Sequence, residues 1–261
     1  MSVKPYYEDT ASGIVIYHGD CREVLQSIDC AAVGCVIADP PYGETSLKWD
    51  RWPDRWVAAV GDAVPANSSL WCFGTMRMFL ERVGDFTFWK FAQDIVWEKH
   101  NGSGFMVDRF RRVHESVLQF YRVGTSWSDV YKSPQFTLDA TKRTVRKKAK
   151  PAQWQGARGA SYYESQDGGP RLMRSVIQAR SEQGRALNET QKPAKLVESL
   201  VEYSCPPGGL ILSPFMGSGT DLWVAKKTGR KAIGIEARED QCEIAANRLR
   251  QGVLFGSSES A

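Results

Sequence analysis

Asp39-Pro40-Pro41-Tyr42 stands directly after the apolar run VGCVIA. An amine on a heteroaromatic ring is a poor nucleophile, because its lone pair is delocalised into the ring. A site that alkylates such a nitrogen must accept both amino hydrogens and favour a tetrahedral centre. The Asp39 carboxylate and the Pro40 carbonyl supply two acceptors, and the second proline, Pro41, helps fix the direction of that carbonyl. Tyr42 offers a face on which a base can stack. An isolated D-P-P-x also suits an Asp that caps a helix after a proline turn; the strand before it and the aromatic at its fourth position favour the chemical reading.

A second segment, Ser213-Pro214-Phe215-Met216-Gly217-Ser218-Gly219-Thr220, follows the apolar GLIL and precedes a helical pattern. Gly217 and Gly219 permit close backbone approach to a ligand at a helix N-terminus, with Ser218 and Thr220 alongside. The third glycine of a dinucleotide fingerprint would fall at Leu222, and no G-K-[ST] follows, so neither a diphosphate site nor a P-loop is indicated. Downstream, KAIGIE ends in Glu236, where an acid accepts hydrogen bonds from ribose hydroxyls. Phe215 offers its ring to a positive sulfur. A cofactor with a ribose, no diphosphate and a sulfonium is S-adenosylmethionine.

The elements that must carry these motifs are short. IVIY (14–17), VGCVIAD (33–39), SLWCFG (69–74), DIVWE (94–98), SVLQFY (116–121), GLILS (209–213) and KAIGIE (231–236) have strand composition and strand boundaries. Residues 193–204 place Leu196, Val197, Leu200 and Val201 on one helical face, with Pro193 suited to the first turn. Residues 239–250 open with two acids, close with Arg248 and Arg250, and meet a capping Gly252. This alternation predicts an α/β fold with a doubly wound, mostly parallel sheet, in which ligands bind beyond the carboxyl ends of strands. Residues 123–187 interrupt the pattern with Ser, Gln, Gly, Lys and Arg among scattered aromatics, and residues 256–261 are a polar tail expected to be disordered.

Charge separates the same regions. The 261-residue chain carries net +4, but residues 101–190 hold 16 Lys and Arg against 8 Asp and Glu. Six cations fall within nine residues, KRTVRKKAK at 142–150, so Lys142, Arg143, Arg146, Lys147 and Lys148 are candidate contacts to a polyanion; a solvated loop is the alternative. Six scattered cysteines and three histidines show no metal-ligand spacing, so no metal is expected. No apolar run reaches the length of a membrane span, and the start lacks the apolar stretch of a signal peptide, which leads to the expectation of a cytoplasmic protein.

DPPY at 39–42 together with SPFMGSGT at 213–220 resembles the amino-methyltransferases of DNA, which act on adenine N6 or cytosine N4. YHGDCREVL at 17–25 is similar to the family segment that contacts the cofactor's adenine, which implies Asp20 and Cys21 as cofactor contacts. TQKPAKLVESLV at 190–201 resembles the helix start at the cofactor's methionine end, with Lys192 as the implied partner of its carboxylate. RRVHESVLQFYR at 111–122 matches a family strand to which the resemblance gives a structural role. The resemblance covers about 1–122 and 188–252, and the tetrad preceding the cofactor loop is the order of the permuted beta group.

The resemblance implies a Rossmann-like S-adenosylmethionine-dependent methyltransferase: a catalytic half at 1–122, a target-recognition insert at 123–187 and a cofactor-binding half at 188–255. It also implies base flipping in double-stranded DNA, a place in restriction–modification and, since dimers are frequent in the family, a homodimer. DPPY rather than SPPY favours adenine; cytosine N4, RNA, and an inactive DNA-binding protein on the same scaffold are the alternatives. Ser213 stands where the family usually has Asp, so one carboxylate near the methionine end is missing. Trp49, just past the tetrad, belongs either to a mobile loop over the site or to the packing.

Overall fold

The computed structural model describes residues 3–103, 107–149, 159–180 and 191–251. The expected tail at 256–261 and the expected cap at Gly252 lie outside them. The chain divides into two compact units, Met1–Ser133 with Ser175–Ala261, and Pro134–Arg174. The strands are β1 Tyr7–Asp9, β2 Ile14–His18, β3 Val33–Ala38, β4 Ser69–Gly74, β5 Trp89–Ser103, β6 Arg112–Arg122, β7 Phe136–Thr137, β8 Arg143–Lys147, β9 Ser161–Ser165, β10 Arg171–Leu172, β11 Val176–Gln178, β12 Leu210–Ser213 and β13 Lys231–Glu236. The helices are α1 Cys21–Val24, α2 Trp56–Ala63, α3 Met76–Arg82, α4 Ala194–Ser204, α5 Thr220–Lys227 and α6 Glu239–Arg250.

In the first unit nine strands form one sheet in the order β1-β2-β13-β12-β3-β4-β6-β5-β11. Its middle, β2 through β4, is parallel. Strands β3, β4 and β12 are almost wholly buried, as both faces of a doubly wound sheet must be. Val36, Ala38, Leu70, Cys72, Leu212 and Ile233 face a core completed by Cys21, Val24, Trp56, Val57 and Val60 from α1 and α2. The alternate residues face the other way, where Trp71 donates to the Ser204 hydroxyl on α4 at 2.6 Å. All six cysteines are buried and unpaired.

Strands β3 and β12 are neighbours, yet the chain leaves them in opposite directions, from β3 through α2 to β4 and from β12 through α5 to β13. Such a reversal opens a crevice beyond the carboxyl ends of the two strands. Asp39 and Pro214 are the residues immediately after those ends.

The second unit is built from two antiparallel pairs, β7 with β10 and β8 with β9. Residues 143–147 of the basic run form strand β8, where a solvated loop was the alternative to a polyanion-binding segment. Its residues Arg143, Thr144, Arg146 and Lys147 are exposed, and an exposed ribbon lacks the apolar alternation by which strands are read from sequence.

Candidate active site

A cavity of about 670 Å³ occupies the crevice. Its wall includes Asp20 and Cys21, the whole tetrad Asp39–Tyr42, Lys192, Phe215, Gly217, Ser218, Thr220 and Glu236. Residues separated by more than two hundred positions in sequence thus meet in one space.

The glycine loop is held from below. The Glu236 carboxylate accepts the Gly217 amide at 2.9 Å through one oxygen and the Arg238 amide at 2.9 Å through the other. Burial nevertheless raises the Glu236 carboxyl above its ordinary value. Gly217 and Gly219 have φ of 50° and 72°, in the left-handed region that favours glycine. A β-carbon on Gly219 would also lie 2.8 Å from that of Ala245 on α6. The first turn of α5 begins at this loop without a side-chain cap, so its amides remain available to a ligand. Ser218 and Thr220 are buried beside it, the Thr220 hydroxyl accepting from Arg248 at 3.0 Å. Phe215 packs edge-on against Trp56, with ring centres 5.1 Å apart.

At the other side, Asp20 caps α1 and accepts from Arg22 through its backbone amide at 2.9 Å and its guanidinium. Those bonds hold its carboxyl below the ordinary range. Cys21 is buried, and burial pushes its thiol up to about 12, so it acts as a neutral wall residue. Trp49 also lies on the wall, with the Arg238 guanidinium 5.0 Å from its ring centre. Its loop is stapled by Asp50, which accepts the Gly43 and Thr45 amides at 2.8 and 2.7 Å.

The tetrad is wired into a buried charge network. Tyr42 donates to Asp39 Oδ1 at 2.8 Å, and Lys192 Nζ lies 2.9 Å from the same oxygen. Lys192 also reaches Glu115 Oε2 at 3.2 Å and the Tyr42 hydroxyl at 3.3 Å. Glu115 is in turn paired with Lys99. Burial raises the Asp39 carboxyl against the pull of Lys192, whereas Glu115, despite its burial, is held below its ordinary value by Lys192 and Lys99.

Lys192, the residue that the resemblance implies for the cofactor's carboxylate, lies on the cavity wall with its ammonium between two protein carboxylates, one of them in the tetrad. Two site residues were not foreseen: Glu115, on a strand expected to be structural, and Asp221, on the cavity wall. Sequence carried little signal for either, since a pairing such as Lys192 with Glu115 spans 77 positions. The candidate DNA contacts Lys142, Arg143, Arg146, Lys147 and Lys148 lie in the second unit.

Fold and site together place a carboxylate-bearing tetrad and a glycine loop at the ends of neighbouring strands of a doubly wound α/β sheet, an arrangement that suits a transferase. The chain belongs to the DNA methylase family of N6 and N4 enzymes, whose model matches residues 33–247. It is 26% identical to the Type II methyltransferase M.HinfI of Haemophilus influenzae, over 90% of this chain and 68% of that protein. It is 27% identical to the Type II methyltransferase M.ScaI of Streptomyces caespitosus, over 94% and 84%. The fold is shared with a solved complex of M1.HpyAVI with SAM, at a TM-score of 0.60 and 23% identity over 89% of this chain and 98% of that one. It is shared as well with the cytosine-N4-specific PvuII DNA methyltransferase, at 0.63 and 16% over 97% and 91%.

Proposed function

We propose that the protein is a site-specific, Type II DNA methyltransferase that uses S-adenosylmethionine to methylate N6 of adenine in double-stranded DNA. The observation that carries this reading is Asp39, a carboxylate at the crevice whose bonds from Tyr42 and Lys192 both fall on Oδ1. Oδ2 is thereby left for a substrate N–H. The Pro40 carbonyl accepts the second amino hydrogen, and the two acceptors together draw the nitrogen toward a tetrahedral, nucleophilic form. Burial of Asp39 makes it a better acceptor for the proton the amine must lose, while Lys192 keeps it ionised beforehand.

The pocket suits the cofactor. Glu236 is positioned for ribose hydroxyls, the Gly217–Gly219 backbone for close approach, and Phe215 and Tyr42 for a cation beside an aromatic face. When bound, S-adenosylmethionine supplies an electrophilic methyl group. The target base must leave the stack to reach Asp39, at a cost of a few kcal/mol. Stacking on Tyr42 offsets part of that cost. In the second unit, β8 and β9 form an exposed two-stranded ribbon of a kind the major groove admits.

Incubation with the cofactor and unmethylated DNA, followed by nucleoside mass spectrometry, tests the reading. N6-methyl-2′-deoxyadenosine is the expected product. N4-methyl-2′-deoxycytidine would retain the mechanism and overturn the base, and the absence of any methylated deoxynucleoside would overturn the activity.

A further inference from the structure

The carboxylates around the cavity are mostly provided for. Asp39 and Glu115 share Lys192, Asp20 holds Arg22, Asp50 accepts two amides, and Glu236 accepts two amides with Arg238 nearby. Asp221 is different. It is the second residue of α5, it lines the cavity, and it is 7% exposed. Among the described residues its carboxylate has one hydrogen-bond donor, the neutral hydroxyl of Ser213, at 2.6 Å. Ser213 ends β12 and is fully buried, so the two side chains bridge the strand and the helix between which the glycine loop runs.

Burying a carboxylate against a single hydroxyl is costly unless a cation is brought to it. Burial pushes its carboxyl up to about 7, with Asp39 adding to the rise and Ser213, Arg248 and Lys192 opposing it. A group poised there is charged or neutral according to what sits opposite. The missing partner is a cationic N–H donor delivered by a ligand in the cavity, because a carboxylate gains more from an ammonium that donates hydrogen bonds than from a sulfonium that has none.

We propose that Asp221, oriented by the Ser213 hydroxyl, binds the α-ammonium of the cofactor's methionine end and supplies the carboxylate that position 213 lacks. The pair Ser213 and Asp221 is then an acid moved from strand end to helix start, with the hydroxyl left behind to hold it. This rests on the cofactor reading above.

Calorimetric titration with two probes separates the possibilities. S-adenosylhomocysteine carries the α-ammonium; 5′-methylthioadenosine has the same nucleoside and sulfur without the amino-acid end. For Asp221→Asn, affinity for S-adenosylhomocysteine is expected to fall at least tenfold, and affinity for 5′-methylthioadenosine to stay within about twofold. The exchange Ser213→Asp with Asp221→Ser is expected to recover S-adenosylhomocysteine binding to within about threefold of the unaltered protein. Equal loss of both probes, or loss of neither, overturns the assignment. So does a folded exchange variant that binds only 5′-methylthioadenosine. If the unaltered protein binds neither probe, the cofactor reading itself has failed.

Discussion

At the scale of single residues the site turns on Lys192. Its ammonium lies between two buried carboxylates, and removing it leaves Asp39 and Glu115 as uncompensated like charges. Breaking a buried pair in this way commonly costs about 3–5 kcal/mol. Lys192→Met should therefore lose stability of that order in urea titrations. Its surviving turnover should also need a higher pH, because a carboxylate deprived of its cation keeps its proton longer. Adding Glu115→Gln should recover stability without recovering turnover; no recovery would mean that the two carboxylates do not oppose each other. Asp39→Ala should abolish methyl transfer while leaving S-adenosylhomocysteine binding within a few-fold, and failure to fold would return Asp39 to a capping role. Asp221 makes a prediction of opposite sign to the usual carboxylate. Its carboxyl stands at about 7 when folded against 3.8 when free, so across that window the folded protein holds a proton the unfolded chain has released. Stability then falls as pH rises through the window. Asp221→Asn should flatten that fall when unfolding is compared at pH 5 and pH 8, and an identical slope in both proteins would refute the burial argument.

At the scale of elements, the glycine loop is a joint between β12, α5 and α6. Gly219 has a positive φ and almost no room before Ala245, so Gly219→Ala meets both backbone strain and a steric clash. A non-glycine residue in that conformation costs about 1–3 kcal/mol. Adding Ala245→Gly should relieve the clash alone, so the double variant should melt between the single variant and the unaltered protein. If it melts no higher than Gly219→Ala, the strain is wholly backbone. This loop and the tetrad were legible in the sequence because each is a continuous run beside a strand with strong β composition. The helices at 194–204 and 239–250 were legible from apolar spacing and end charges, with Pro193 serving as the residue before the first turn. Strand β11 was not: three residues, of which only Ile177 is buried, offer no period, and their place beside β5 is set by pairing across 80 positions. Glu115 escaped for the same reason, since its partner Lys192 is 77 positions away, whereas Asp221, one residue past the glycine segment, is marked only by its burial and its bond from Ser213.

At the scale of the whole molecule, charge is divided as the proposed reaction requires. Residues 134–174 hold nine Lys and Arg against three acids, while the rest of the chain is slightly acidic. Within that unit the β8–β9 ribbon has two unlike faces. Arg146 lies 5.6 Å from the ring centre of Tyr162, whose hydroxyl donates to Glu164 at 2.7 Å, so that face is largely satisfied by its own side chains. Arg143, Val145 and Lys147 share the other face with Tyr163. If this face meets DNA, its two cations contact phosphates, and each releases counterions when it does. Arg143→Gln with Lys147→Gln should then weaken binding to every duplex and lower the log–log salt slope by about 2. Tyr163→Ala should leave the slope unchanged and alter the ranking of target sequences, because an aromatic contact carries no counterion term. Binding measured by anisotropy across a salt series, on duplexes that contain and lack the methylated site, distinguishes these outcomes. A slope unaffected by the double substitution would place Arg143 and Lys147 in solvent and leave recognition to other parts of the second unit.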